Sequence, residues 1–196
     1  VDIRQTIEKA FQFFSEAVIV YLVAGILVSL LSGLTLGLLA GPLMGGFMHM
    51  ALNHVRTGRQ PQLGDLAYGF QEFGNLFPYI LVLLLTLVGF LLLILPGIVL
   101  TTWWMYAIVL MADKGMSFGE AMRRSKARVT ESGGFSSRLG FVVLVFLLPP
   151  LVVHFLSAFF PPAGFLNFVI FPLQALALVQ AYEADFGSSD SIVRVR

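Results

Sequence analysis

Cysteine is absent from this 196-residue chain. Disulfides, thiolate nucleophiles, Cys-ligated zinc and iron–sulfur clusters are therefore excluded. Charge is scarce: 12% of residues are Asp, Glu, Lys or Arg, against about 25% in soluble domains. Between Glu72 and Asp113 there is none over 40 consecutive residues. Patterns that carry chemistry are missing as well. The sequence holds no Walker loop and no H-E-x-x-H, so phosphate-loop and zinc-peptidase signatures are lacking. The formal charge of +1 is not the basic excess that nucleic-acid binding requires, and no nucleic-acid partner is expected. No short apolar core precedes an Ala-x-Ala site near the amino terminus, so no cleavable leader is expected.

What is abundant is apolar. Hydrophobic residues make up 58% of the chain, with 19 Phe and 19 Gly. A soluble domain of this length cannot enclose so much Leu, Val and Phe, whereas lipid contact removes that limit. Residues 76–113, LFPYILVLLLTLVGFLLLILPGIVLTTWWMYAIVLMAD, read as two lipid-embedded helices joined by a turn at Leu95-Pro96-Gly97. The class expected is an all-α polytopic membrane protein, with about six transmembrane helices and short amphipathic interfacial helices.

The expected spans cover 16–31, 38–55, 76–95, 98–112, 139–156 and 165–182. Residues 1–14 place Ile3, Ile7, Ala10, Phe11 and Phe14 on one face. They form either an interfacial helix or the wet first turns of the first span. Glu16 requires a partner such as Arg56 or Arg138 if it is buried. Gly33, Gly37, Gly41 and Gly45 repeat at the four-residue spacing that lets helix backbones approach closely. Residues 63–74 form a short helix too brief to span and are expected at the surface. Ser117 and Glu120 have capping-box spacing ahead of a basic helix at 118–129. Pro149-Pro150 should break or kink the fifth span. Residues 1–185 read as one transmembrane domain and 186–196 as a flexible cytoplasmic tail.

With both termini inside, all 12 Lys and Arg fall on the inner side, and the outer turns near 32–37, 95–97 and 157–163 carry no charge. The positive-inside rule fixes that orientation, and a bacterial cytoplasmic (inner) membrane is the expected location. Shifting the chain by 55 residues places Gly41-Pro42 on Pro96-Gly97 and Gly64-Asp65 on Gly119-Glu120. The units 41–95 and 96–150 then form a parallel pseudo-repeat, unless hairpin regularity alone produces the match.

Four groups are candidates for cofactor binding: His49, His154, Trp103 and Trp104. A histidine at membrane depth can ligate a haem or chlorophyll metal, or pack neutral against a hydrogen-bond partner. The tryptophans can stack on a ring or anchor an interface. No three-residue metal motif is present in the sequence. Arg123, Arg124, Lys126 and Arg128 are candidates for lipid headgroup binding on the cytoplasmic face, the alternative being orientation alone. Ser125 and Ser132 have no nearby histidine in sequence to activate them.

The stretch GPLMGGFMHMALNHVRTGRQPQLGDLAYGF, then LLLILPG at 91–97, then MADKGMSFGEAMRRSKARVT, resembles a group of uncharacterised bacterial integral membrane proteins. That group includes the membrane domain attached to some glycerophosphodiester phosphodiesterases. The matching elements are Gly41-Pro42, Gly64-Asp65, Pro96-Gly97, Glu120-Ala121 and Arg124-Ser125. The resemblance implies the scaffold and names no catalytic residue. The phosphodiesterase barrel is absent from this chain, so no hydrolase activity is implied.

The expected function is non-enzymatic: a scaffold or accessory subunit of a membrane complex, with lipids and other subunits or copies of itself as partners. The alternative is a transporter or channel-like protein for an apolar or amphipathic, lipid-like substrate. Scarce intramembrane charge argues against ion coupling.

Overall fold

The computed structural model describes residues 2–92, 94–131 and 134–187. Residues from 188 on, with Arg194 and Arg196, and residues Ser132 and Gly133 lie outside the described residues. The described chain is helical throughout, with short connections. Helix α1 (Ile3–Glu16) is followed by α2 (Val18–Leu34) and α3 (Ala40–Thr57). Three short helices, Leu63–Ala67, Tyr68–Gln71 and Phe73–Leu76, lead towards α4 (Ile80–Leu92). Then come α5 (Ile94–Trp104), α6 (Ala107–Lys114) and α7 (Phe118–Thr130). Helix α8 (Phe135–Phe141) passes through a π-helical turn, Val142–Leu147, into α9 (Leu148–Phe159). A 3-10 segment, Pro161–Leu166, opens α10 (Asn167–Phe186).

Among the described residues, three stretches are long and apolar enough to cross a membrane: Leu95–Lys114, Phe135–Phe159 and Pro161–Phe186. Two bent pairs, α1 with α2 and Leu63–Gln71 with Phe73–Val88, raise the number to five if each is one span. This is an all-α domain of several long apolar helices, consistent with a multi-pass membrane protein.

Helix α3 is the central element. Twelve of its 18 residues are buried, and it packs on α2, α6, α10 and the short helices. It contains Gly, His and Asn because protein rather than lipid surrounds it, and for the same reason it does not reach the apolarity of the three long stretches. Close packing at its glycines is as the spacing predicts, in part. A Cβ at Gly41 would meet the Leu76 carbonyl, one at Gly45 the Leu76 side chain, and one at Gly46 the Leu66 carbonyl. Gly33 and Gly37 face open space, and Gly37 instead supplies a φ of +83° to the turn after α2.

Several expectations are corrected. The segment at 63–74 does more than rest at a surface. Leu66, Gly69 and Leu76 are buried against α3, and a Cβ at Gly69 would run into the Pro42 carbonyl. Leu95-Pro96-Gly97 is no turn; it lies inside α5. Pro96 sits in the first helical turn, where its missing N–H has no intrahelical acceptor to lose. Ser117 does stand at the N-cap of α7, but its side chain makes no capping bond. Helix α1 does not run straight on into α2: the two meet at 99°. Thr6, Ala10 and Phe14 of α1 face the protein, while Ile7 and Phe11 are exposed.

Candidate functional site

The chain breaks its own helix ladder in the middle of the apolar region, and a cavity forms beside the break. Pro149 and Pro150 lack the N–H groups that an α-helix would donate to the carbonyls of residues 145 and 146. Gln174, on α10, donates its side-chain amide to the Val145 carbonyl at 2.7 Å and to the Phe146 carbonyl at 3.4 Å. The π turn therefore leaves neither carbonyl orphaned, as an apolar surrounding requires.

The cavity has a volume of about 230 Å³ and lies among α3, α4, α5, α6, the π turn and α10. Its lining of sixteen residues includes none that is charged. Met44, Met48 and Met105 supply flexible thioethers, which adapt to irregular apolar shapes. Tyr79, Trp104, Phe146 and Phe171 supply ring surface, and Thr86, Thr101 and Gln174 are its further polar groups. Leu83, on the α4 wall, is 39% exposed on the outer face, so the cavity adjoins the surface that lipid would cover.

Beside the cavity, two ionic clamps tie α3, α6, α8 and α10 together. Arg56 binds Asp113 through both terminal nitrogens, at 2.5 and 3.0 Å, and Glu183 through Nε at 2.7 Å. Arg138 binds Asp185 through Nε at 2.7 Å and Nη2 at 2.9 Å. The tyrosines cross over. Tyr182 of α10 donates to Asp113 at 2.6 Å, and Tyr106, just before α6, donates to Asp185 at 2.6 Å. Both aspartates stand in the same local sequence, Ala112-Asp113-Lys114-Gly115 and Ala184-Asp185-Phe186-Gly187. Gly115 and Gly187 have positive φ, which ends each helix directly after the clamp. These buried pairs hold geometry, and removing one partner leaves the other charge stranded.

The clamps also decide where Glu16 goes. Arg56 and Arg138 are committed elsewhere, and Glu16 faces His54 instead, with 3.2 Å between Oε2 and Nε2. The opposite nitrogen of His54 is 2.9 Å from the Tyr21 hydroxyl. A fully buried His54 thus anchors the α1–α2 bend.

The residues singled out in the sequence are not brought to one place. His49 stacks flat on Tyr68, with ring centroids 3.8 Å apart, and its Nε2 is 3.0 Å from the Asn53 amide. His154 is exposed on α9. Trp103 lies under the Lys126 ammonium, 4.1 Å from the ring centroid, while Trp104 lines the cavity. Arg123 and Arg124 are exposed on α7, and Arg128 pairs with Glu131 at 2.8 Å. Ser125 is fully buried. It donates to the Trp103 carbonyl at 2.7 Å and accepts from the Tyr106 N–H at 3.2 Å, so it caps the break between α5 and α6. Ser132 lies outside the described residues. No group of three His, Asp or Glu among the described residues is arranged to hold a metal ion.

Sequence reasoning missed the cavity and the clamps. Gln174 carried a signal, being an amide in the apolar middle of α10 in a chain with a double proline. The A-D-x-G recurrence was a second signal. Neither names its partner without the helix arrangement.

Fold and site together define an all-helical, largely apolar protein of membrane character, built around an uncharged interhelical cavity. No family model matches the chain, and no curated protein or solved structure matches it.

Proposed function

We propose that the protein is a non-enzymatic membrane protein whose interhelical cavity accepts part of an apolar or amphipathic, lipid-like molecule from the bilayer, in a transport-like or channel-like role. The cavity carries the reading. Its lining is uncharged and rich in Met and aromatic residues, it is bounded on one side by lipid-exposed α4, and it sits at a π turn, a distortion frequent at functional sites.

In the fuller form of this proposal six segments span: α2, α3, α4, the pair α5–α6, the run from α8 to α9, and α10. Both termini face the cytoplasm of a bacterial inner membrane. The clustering of Arg56, Asp113, Arg138, Glu183 and Asp185 at one end supports a common side for those helix ends. A duplication over 41–95 and 96–150 stays part of the proposal. The resemblance to the uncharacterised bacterial group stays part of the proposal, as do headgroup contacts at Arg123, Arg124, Lys126 and Arg128.

A second reading, a scaffold or accessory subunit or a self-associating one, is favoured by one observation. The Phe135–Phe159 stretch is only 22% buried, against 56% for Leu95–Lys114. Purification in mild detergent, with an absorbance spectrum and mass analysis of everything retained, tests both. Lipid retained at about one per chain supports the cavity reading. Another protein in fixed ratio, or a visible chromophore, supports the subunit reading and returns attention to His49, His154 and the tryptophans.

A further inference from the structure

We infer that the cavity takes the head of an uncharged lipid bearing a free hydroxyl group. This deepens the cavity reading above and rests on it. Four polar groups of the lining make no hydrogen bond among the described residues: the Tyr79 hydroxyl, the Gln174 Oε1, the Thr86 hydroxyl and the Trp104 indole N–H; the first two set the ligand chemistry. Tyr79 lines the cavity and is 8% exposed, and its hydroxyl has no hydrogen-bond partner there. Gln174 spends its amide nitrogen on the Val145 and Phe146 carbonyls, leaving Oε1 as an acceptor with none. A hydroxyl or amide oxygen facing an apolar cavity gains by pairing with a ligand that offers the complementary group.

Tyr79 and Gln174 ask for complementary things. The Tyr79 hydroxyl donates or accepts, while the Gln174 oxygen only accepts. A ligand hydroxyl can do both, accepting from one and donating to the other; a bare ester or ketone oxygen cannot donate to Gln174. Thr101 already donates to the Gly97 carbonyl at 2.8 Å, so it too is left as an acceptor. A charged head is unsuited. None of the sixteen lining residues carries charge, and Arg56 and Arg138 are bound to carboxylates. An unpaired charge in such surroundings is strongly disfavoured.

Size sets the rest. A volume of about 230 Å³ holds about eight groups of methylene or water size, at roughly 30 Å³ each. The head and its first carbons fit, and the remaining chain leaves beside α4 into the bilayer. Two sources offer this chemistry: a glycerolipid with a free hydroxyl, such as diacylglycerol, and a reduced isoprenoid quinol.

Trp104 in the lining provides the readout. The full chain in mild detergent is titrated with diacylglycerol carrying dibrominated acyl chains, and separately with phosphatidylcholine carrying the same chains, while tryptophan fluorescence is followed. The expected result is saturable quenching by the diacylglycerol at a mole fraction at least about fivefold below that for phosphatidylcholine, the worth of one neutral hydrogen bond. Tyr79→Phe should raise the half-saturation point by about fivefold, and Trp104→Phe should remove the saturable component. Unbrominated diacylglycerol and a short-chain ubiquinol then compete for the site, and the stronger competitor identifies the source. Equal quenching by both brominated lipids, unchanged in Tyr79→Phe, overturns the hydroxyl preference while leaving an apolar-chain site standing. Absence of saturable quenching by either lipid overturns both the preference and the cavity reading.

Discussion

Gln174 makes the hydrogen bond that Pro149 cannot. Its side-chain amide donates to the Val145 carbonyl at 2.7 Å, across from α10 to the π turn. Replacing it by Leu strands that carbonyl in an apolar setting, at a cost of about 1–3 kcal/mol. Thermal unfolding in detergent should show this loss for Gln174→Leu. In Pro149→Ala a backbone N–H returns, so the double variant should recover part of it, a non-additivity that marks direct coupling. A double variant no more stable than Gln174→Leu alone would show that the proline is not the cause.

The Arg138–Asp185 pair predicts a larger effect. Both side chains are 8% exposed, and Asp185 also receives the Tyr106 hydroxyl. Asp185→Ala leaves the guanidinium uncompensated and should cost about 3–5 kcal/mol, whereas removing both partners should cost less than the sum of the single losses. Glu183→Gln should be milder, because Arg56 keeps its two-pronged contact with Asp113. Melting points of the single and double variants check the order.

Backbone approach at Gly69 gives a sharp contrast between neighbouring glycines. A Cβ there collides with the Pro42 carbonyl, and backbone cannot give way as a side-chain tip can. Gly74, five residues on, faces open space. Gly69→Ala should therefore lower the melting point substantially, and Gly74→Ala should leave it unchanged or slightly raised. Equal effects would argue against the packing of 63–76 on α3.

Orientation can be read because the chain has no cysteine. Single cysteines placed at Arg59, Leu36 and Phe160 report sidedness to a membrane-impermeant thiol reagent. The proposed topology expects Leu36→Cys and Phe160→Cys to react in intact cells and Arg59→Cys only after the membrane is opened. The reverse pattern would invert the protein.

What the sequence made legible follows from where the forces are local. The basic helix at 118–129 matches α7 because capping position, helical spacing and charge all act within a few residues. Helix α3 was readable from the same kind of signal, as was the close approach at Gly41 and Gly45. Pro149-Pro150 announced a distortion, but its π form and its repair by Gln174 depend on a helix 25 residues away. Pro96 misled because proline is a breaker inside a helix and harmless in the first turn. An arginine partner is expected for Glu16 only if it is buried; Glu16 is exposed and meets His54, while Asp113, Glu183 and Asp185 hold the arginines. Ser125 looked like an unactivated hydroxyl and is a cap for a broken helix.

The central claim is that a lipid-like molecule occupies the interhelical cavity, and Ala175 lets it be tested directly. This residue lines the cavity and is 2% exposed, so Ala175→Phe fills the space from within. Leu151→Phe, at a position 64% exposed on α9, adds the same ring on the outer face as a control. Native mass spectrometry of the three proteins, released from the same detergent, counts the bound lipid. The account predicts about one retained lipid in the wild type and in Leu151→Phe, and none in Ala175→Phe. Equal lipid retention in all three, or none in any, would contradict it.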